Sequence, residues 1–87
     1  MTTLHPRGEV DLATMAAFEQ TLERGIDADR DLVVDLSELT FIDAAGLRAL
    51  AAAADRLHRG GRRLRLVRPT RNLGRLLHLV GLGDLIV

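Results

Sequence analysis

Several residue types are absent or scarce in the chain, and each absence removes a class of function. None of its 87 residues is cysteine, which excludes disulfides, thiolate nucleophiles and cysteine-ligated metals. Its three histidines are scattered and do not indicate a metal site. No apolar run approaches the roughly 18 residues that a membrane span needs, and no basic and apolar leader opens the chain. We therefore expect a cytoplasmic protein that binds neither cofactor nor membrane.

Lysine is also absent, so all 12 basic residues are arginine, and they match 12 acidic residues. Residues 1–43 hold ten acids and three arginines (net −7), whereas residues 44–87 hold two acids and nine arginines (net +7). The two halves either neutralise each other within the fold or form a polarised surface that orients a charged partner. Nucleic-acid binding is disfavoured, because the basic half contains no aromatic residue for base stacking. Four of its arginines are interpreted as solvating a strand, with a phosphate or lipid site less favoured: Arg62, Arg63, Arg65 and Arg68.

Along the chain, segments in which apolar residues are spaced as in a strand alternate with segments in which they are spaced as in a helix. Short segments with a two-residue or all-apolar pattern predict strands at residues 8–11, 32–36, 63–67 and 85–87. Segments with apolar residues three and four apart predict helices at residues 12–24, 44–58 and 71–79. The resulting order, β-α-β-α-β-α-β, predicts an α/β fold with a parallel or mixed sheet of about four strands and helices packed on it.

The ends of the predicted helices carry recognisable signals. Asp43 and Thr70 stand where a side chain can accept a hydrogen bond from the first turn of a helix. Glycines follow the helical segments and are expected to end them, at Gly25, at Gly60 and Gly61, and at Gly81.

Individual side chains are also assigned to core or surface. Phe41 and Ile42 are expected to return the chain to the core after a turn at residues 37–40, and Val80 is expected on the buried face of the last helix. Asp55 and Arg59 are four residues apart and are expected to form a helical ion pair.

Two stretches carry a family resemblance. Residues 8–14 read Gly-Glu-Val-Asp-Leu-Ala-Thr, and residues 34–47 read Val-Asp-Leu-Ser-Glu-Leu-Thr-Phe-Ile-Asp-Ala-Ala-Gly-Leu. Together they resemble the STAS domain of bacterial anti-sigma factor antagonists, and residues 76–85 resemble the last helix and strand of that family. The resemblance covers about residues 8–87. It implies one STAS domain over residues 1–87, with the N-terminal strand short or missing and the C-terminal helix absent.

The resemblance implies partner switching. In that family a serine kinase that is also an anti-sigma factor binds the unmodified domain, phosphorylates a serine in an Asp-Ser-x-Gly segment, and releases it. Here Ala44 stands at the phosphoacceptor position and has no hydroxyl, and the only serine in the chain is Ser37. The chain is therefore expected to bind such a regulator without the usual switch. The expected partner-binding residues are Asp11, Thr14, Asp43, Ala44, Ala45, Gly46, Leu47 and Arg48.

Other interpretations remain open. Asp43, Asp11 and Thr14 either cap helices only or also contact the partner. A ligand-sensing or scaffold STAS domain that acts in trans is the alternative function. An enzyme is not expected, because the chain lacks a glycine-rich phosphate loop and a metal-ligand cluster, and a Ser–His–Asp triad built on Ser37 has no support in the sequence. The short N-terminal strand predicts an under-covered sheet edge and hence a possible homodimer.

Overall fold

A computed structural model describes residues 1–28 and 30–87. Within these ranges it has five strands, three helices and one 3₁₀ turn. The strands are β1 (Thr2–Leu4), β2 (Gly8–Val10), β3 (Leu32–Asp35), β4 (Leu39–Ile42) and β5 (Leu64–Val67). The helices are α1 (Met15–Asp27), α2 (Ala44–Arg59) and α3 (Arg71–Leu79), and the 3₁₀ turn spans Gly83–Leu85.

All strand pairs of the described residues are parallel and belong to two small sheets. One sheet has the order β1-β3-β5, and the other pairs β2 with β4. The predicted α/β fold with helices on a sheet is thereby confirmed. The strand count differs for three reasons. β4 forms within the stretch that was assigned to a turn and the return to the core, where it pairs with β2. The N-terminal strand is present but short, as β1, and residues 85–87 form no strand.

The core lies between helices α1 and α2 and one face of the β1-β3-β5 sheet. On this face Leu32 of β3 lies beside Leu64 of β5, and Val34 lies beside Leu66. All four side chains are buried. Phe18, which is also buried, contributes from α1. These aliphatic rows match the pattern that the sequence showed for strands covered by helices.

Helix α1 does not end at Gly25, contrary to the prediction; it continues to Asp27. Gly25 is buried inside the helix, and a Cβ atom there would lie 2.7 Å from Cδ1 of Leu32. The glycine therefore permits close approach of α1 to β3 and is not a helix stop.

The start of α1 was also predicted wrongly. The helix begins at Met15, and Leu12 lies outside it with 93% of its surface exposed. Asp11 causes the delay, because its Oδ1 accepts hydrogen bonds from the backbone N–H groups of Ala13 (3.0 Å) and Thr14 (3.2 Å). A side chain that bonds to the backbone in this way favours a turn over a helix.

Two predicted core residues are exposed. Phe41, on β4, is 49% exposed, and Val80, after the last residue of α3, is 47% exposed. Near the end of the chain, the strand that was predicted at residues 85–87 does not form, and its first residue belongs to the 3₁₀ turn of residues 83–85. One parallel bridge follows it, between Ile86 and Leu66.

The other helix termini agree with the sequence. The Asp43 side chain accepts from the N–H of Gly46, and the Thr70 hydroxyl accepts from the N–H of Leu73. After α2 and α3 the chain turns through Gly61 (φ +75°) and Gly81 (φ +84°), as a glycine stop requires. The predicted ion pair between Arg59 and Asp55 is present at 2.8 Å.

Candidate partner-binding surface

The start of α2 is held against the end of β2. The N–H of Asp43 donates to the carbonyl of Val10 at 3.0 Å, where the parallel strands β2 and β4 both end. Asp11 follows Val10 directly. Two carboxylates that are far apart in sequence, Asp11 and Asp43, are therefore brought to the same edge of the fold.

Asp43 has extended backbone angles and acts as the N-cap of α2. Its Oδ1 accepts from the N–H of Gly46 at 2.9 Å, and its carbonyl accepts from the N–H of Leu47 at 3.0 Å. The first N–H groups of a helix have no partner within the helix and carry partial positive charge. The Asp43 carboxylate thus offsets the partial positive charge at the start of α2, and its hydrogen bond fixes the conformation of the first turn.

Gly46 lets this turn pack closely against the sheet. A Cβ atom at this position would lie 2.5 Å from Cγ1 of Ile42 and 2.8 Å from Cγ1 of Val10. Both atoms belong to β-branched side chains and lie close to the backbone, so they cannot swing away easily. Gly46 is therefore required for the seating of α2.

Asp11 and Thr14 organise the loop that precedes α1. The Thr14 hydroxyl donates to the carbonyl of Glu9 at 2.7 Å and accepts from the N–H of Asp11 at 3.0 Å. Thr14 stands at the N-cap position of α1, yet its side chain makes no capping bond to the helix. The two residues hold the loop beside Asp43 in one conformation.

The eight predicted site residues lie in one region, at two depths. Thr14, Ala44 and Arg48 are exposed, and Asp11, Asp43 and Ala45 are half-buried. Gly46 is buried and Leu47 is only 8% exposed. The last two residues therefore support the surface from beneath.

Two exposed apolar residues belong to this region and were missed by the sequence analysis. Leu12 is 93% exposed in the loop that Asp11 turns, and Phe41 is 49% exposed on β4, opposite Glu9 of β2. Strand alternation does not predict the exposure of Phe41, because Thr40 beside it is exposed as well and the buried residues of β4 are Leu39 and Ile42.

A second polar cluster, also missed, lies where β1, β3 and β5 end. The carboxylate of Asp35 is buried, with 2% of the side chain exposed, and forms an ion pair with Arg68. It also accepts from the N–H of Ser37 at 3.0 Å and lies 3.3 Å from Nδ1 of His5. The expectation that Arg68 only solvates a strand is wrong. Its φ of 54° turns the chain after β5, and its guanidinium binds a buried acid.

The hydrogen bond from Arg68 lowers the pKa of Asp35 well below its usual range, and the backbone hydrogen bond of Ser37 adds to this effect against the opposing effect of burial. The pKa of Arg68 is raised, first by the same hydrogen bond and then by the charge of Asp35. Asp35 is therefore ionised, and it ties the ends of two strands to the turn that leads into β4.

This cluster does not form a catalytic triad. Asp35 contacts both His5 and the backbone of Ser37, but no hydrogen bond joins the Ser37 hydroxyl to His5 among the described residues. Over residues 1–28 and 30–87, no group of three metal-ligating side chains comes together. In the same ranges, no helix has the length and apolar character needed to cross a membrane.

Comparison with known proteins identifies the fold and the family. The family model for "Mlab, STAS domain" matches residues 1–87. The anti-sigma-F factor antagonist RsfA of Mycobacterium tuberculosis is 33% identical over 86 residues, which are 95% of this chain and 67% of that protein. The anti-sigma-B factor antagonist of Staphylococcus aureus is 29% identical over 80 residues, which are 91% of this chain and 74% of that protein.

A solved structure agrees. The anti-sigma factor antagonist SpoIIAA in its unphosphorylated form superimposes with a TM-score of 0.81 at 21% identity, over 99% of this chain and 77% of that chain. The family model spans the same parallel strands and helices that were described above. The chain belongs to the STAS domain family, and its named relatives are anti-sigma factor antagonists.

Proposed function

We propose that this protein is an antagonist-type interaction module that binds a serine-kinase anti-sigma factor or a related regulator through the start of α2. The observation that carries the proposal is the exposed methyl group of Ala44, directly after the Asp43 cap. This is the position at which the resemblance places the phosphoacceptor. Because alanine has no hydroxyl, the module stays permanently unmodified at this position.

The physical setting explains why a hydroxyl here would act as a switch and why its loss matters. A phosphate at the first turn of a helix lies near unpaired N–H groups and the positive end of the helix dipole. It would add about 1.5–2 negative charges to the surface that faces the partner. Ala44 cannot receive that charge, so binding depends on partner concentration alone.

The surface indicates the chemistry of the partner. Its acids Glu9, Asp11 and Asp43 outnumber its one basic residue, Arg48. Leu12 and Phe41 project apolar groups from it. A partner that covers these two side chains removes apolar surface from water, which favours binding. A partner with basic side chains around a shallow apolar pocket fits this arrangement.

The decisive experiment compares two matched glutamate variants in pull-downs from a bacterial lysate that contains serine-kinase anti-sigma factors. Ala44→Glu mimics a phosphate at the start of α2, and Ala51→Glu adds the same charge at an exposed alanine in the middle of the same helix. We expect the parent protein and Ala51→Glu to retain the kinase and Ala44→Glu to lose it. Equal retention by all three proteins would place the binding surface elsewhere.

A complementary variant restores the missing hydroxyl. With the kinase identified above and radiolabelled ATP, Ala44→Ser is expected to incorporate phosphate and then release the kinase. The parent protein is expected to do neither. Phosphate incorporation by the parent, at Ser37 or at a threonine, coupled to release would refute the idea of a permanently unmodified module.

Three further parts of the proposal concern context. We place the protein in the bacterial cytoplasm, where such kinases find ATP, and we assign it no catalytic activity. A homodimer is supported by β1, which has only three residues and lies at the edge of its sheet. Sedimentation equilibrium tests the dimer, and a monomer at high protein concentration argues against it.

A further inference from the structure

A groove lies at the far end of α2 from the proposed partner surface. It runs between the last turns of α2, strand β5 and the 3₁₀ turn, and it has a volume of about 550 Å³. Pockets for small molecules measure roughly 300–1,000 Å³, so this groove has the size of a ligand site. Helix α2 has 16 residues and is therefore about 24 Å long. A ligand in the groove would leave the start of α2 free.

The groove is lined with positive charge. Its basic lining residues are His58, Arg62, Arg63 and Arg65, and its one acid is Asp84. Among the described residues, the side chains of Arg63 and Arg65 have no hydrogen-bond or ion-pair partner, which is also true of surface arginines outside the groove such as Arg71.

The two arginines reinforce each other. Because Arg63 and Arg65 are two residues apart along an extended segment, their side chains project to the same face of the sheet, opposite to the buried Leu64 and Leu66, and line the groove at the open edge of β5. Two like charges on one face of the same segment raise the local positive potential. Their position at a groove therefore favours an anionic ligand over a neutral one.

The backbone of β5 adds a donor. The N–H groups of Leu32 and Leu36 donate to the carbonyls of Arg63 and Val67. The backbone N–H and C=O groups of the odd-numbered residues along β5 therefore point toward β3. Because the direction of the backbone groups alternates along a strand, the N–H and C=O groups of Leu64 and Leu66 point toward the edge of β5 that lies away from β3. At Leu66 this edge is used, since its carbonyl accepts from the N–H of Val87 at 3.0 Å. At Leu64 the same edge opens into the groove.

The nearby helix end counteracts an anion less than a free terminus would. The carbonyls of the last turn of α2 repel negative charge where they are free. Two of them are occupied, because the N–H of Gly61 donates to the carbonyl of His58 at 3.0 Å and the N–H of Arg62 donates to that of Leu57 at 2.8 Å. Arg62 also donates from Nη1 to the carbonyl of Ile26 at 2.6 Å, which orients its guanidinium.

We propose that this groove binds the phosphate group of a small polyanionic ligand, with Arg63 and Arg65 as the main charge partners and the Leu64 N–H as a backbone donor. Arginine is suited to phosphate because its planar guanidinium donates two parallel hydrogen bonds to two oxygens. The phosphate comes either from a free soluble molecule or from a lipid headgroup, and both present the same group to the site. This function is separate from partner binding at Ala44.

Inorganic pyrophosphate is the probe, titrated into the full chain by calorimetry at constant ionic strength. The double variant Arg63→Gln/Arg65→Gln is expected to weaken binding by roughly tenfold or more for each guanidinium lost. The matched control is Arg71→Gln/Arg75→Gln, which removes the same charge from exposed positions on α3 outside the groove. The control is expected to bind within about twofold of the parent, since surface charges at a distance are screened.

A second measurement does not depend on any variant. Amide chemical shifts of the parent protein are expected to move at Leu64 and Gly61 on titration and to stay unchanged at Asp43 and Ala44. Shifts scattered over the chain, no binding of phosphate in any form, or equal weakening by both double variants would each overturn the proposal.

Vesicles separate the two sources of phosphate. Phosphatidylcholine vesicles with and without phosphatidic acid are used in a flotation assay. Flotation that requires phosphatidic acid and is lost in Arg63→Gln/Arg65→Gln assigns the site to a headgroup, and binding of pyrophosphate alone assigns it to a soluble ligand; both support the site. Tighter binding of a single-stranded oligonucleotide, reduced equally by the two double variants, shows general attraction to polyanions and overturns it.

Discussion

Substitution of Gly46 by alanine tests whether α2 is seated on the sheet as closely as the structure shows. The added methyl would lie 2.5 Å from Cγ1 of Ile42 and 2.8 Å from Cγ1 of Val10, both well inside van der Waals contact. Overpacking of this kind costs about 1–3 kcal/mol. Helix propensity offsets about 1 kcal/mol of this cost, because alanine is the better helix former.

The net expectation is therefore a loss of about 0–2 kcal/mol in the free energy of unfolding. For a domain of this size the melting temperature falls by about 4–8 °C per kcal/mol. Urea unfolding is followed by far-UV circular dichroism, since the chain has neither tryptophan nor tyrosine for fluorescence.

The chain contains a matched control at Gly74, which lies inside α3. A Cβ atom there would meet only Cγ of Pro69, at an ordinary 3.6 Å. Gly74→Ala is expected to raise the free energy of unfolding by about 0.5–1 kcal/mol, because it gains helix propensity without a clash. If Gly46→Ala stabilises the protein as Gly74→Ala does, the close packing of α2 on Val10 and Ile42 is refuted.

Three other predictions concern the two polar clusters. Asp43→Ala is expected to lower the free energy of unfolding in urea by about 1 kcal/mol through loss of the cap, whereas Asp43→Asn keeps most of it; equal losses would argue against capping. Because the pKa of Asp35 is lowered in the folded state, its stabilising contribution is full above the normal aspartate pKa of about 3.9 and declines as the pH falls below it. Urea unfolding across acid pH should show this decline in the parent and a flatter profile in Asp35→Asn; parallel profiles would contradict it. Arg68 has a φ of 54°, so Arg68→Gly is expected to be more stable than Arg68→Ala by about 1 kcal/mol in thermal unfolding, although both lose the ion pair; the reverse order would exclude backbone strain at this position.

The errors of the sequence analysis have local physical causes. Gly25 looked like a helix stop because glycine commonly follows a helix, but here it provides the close contact of α1 with Leu32. Leu12 was assigned to a helix by its apolar character, and hydrogen bonds from the backbone to Asp11 prevent that helix from starting there. At Gly25 local propensity was overridden by a tertiary contact, whereas at Leu12 one local preference, the side-chain turn of Asp11, prevailed over another.

The candidate site was partly accessible from the sequence. The Asp43 cap and the exposed Ala44 follow from local pattern, since a helix start requires only a few neighbouring residues. The depth of Leu47 and the exposure of Phe41 depend on how β4 pairs with β2, which is a long-range choice of register. The grouping of Arg62, Arg63 and Arg65 around a groove required the position of the 3₁₀ turn.

The amino-acid sequence by itself determined the order of the helices, three helices with an apolar face each, the caps at Asp43 and Thr70, and the absence of a hydroxyl at Ala44, because these are properties of neighbouring residues. The tertiary structure alone decided that Asp35 pairs with Arg68, 33 residues away. It also decided that Asp11 lies beside Asp43 and that Leu64 presents its backbone to a basic groove. These features arise where strands meet, and strand pairing joins residues whose separation along the chain carries no local signal.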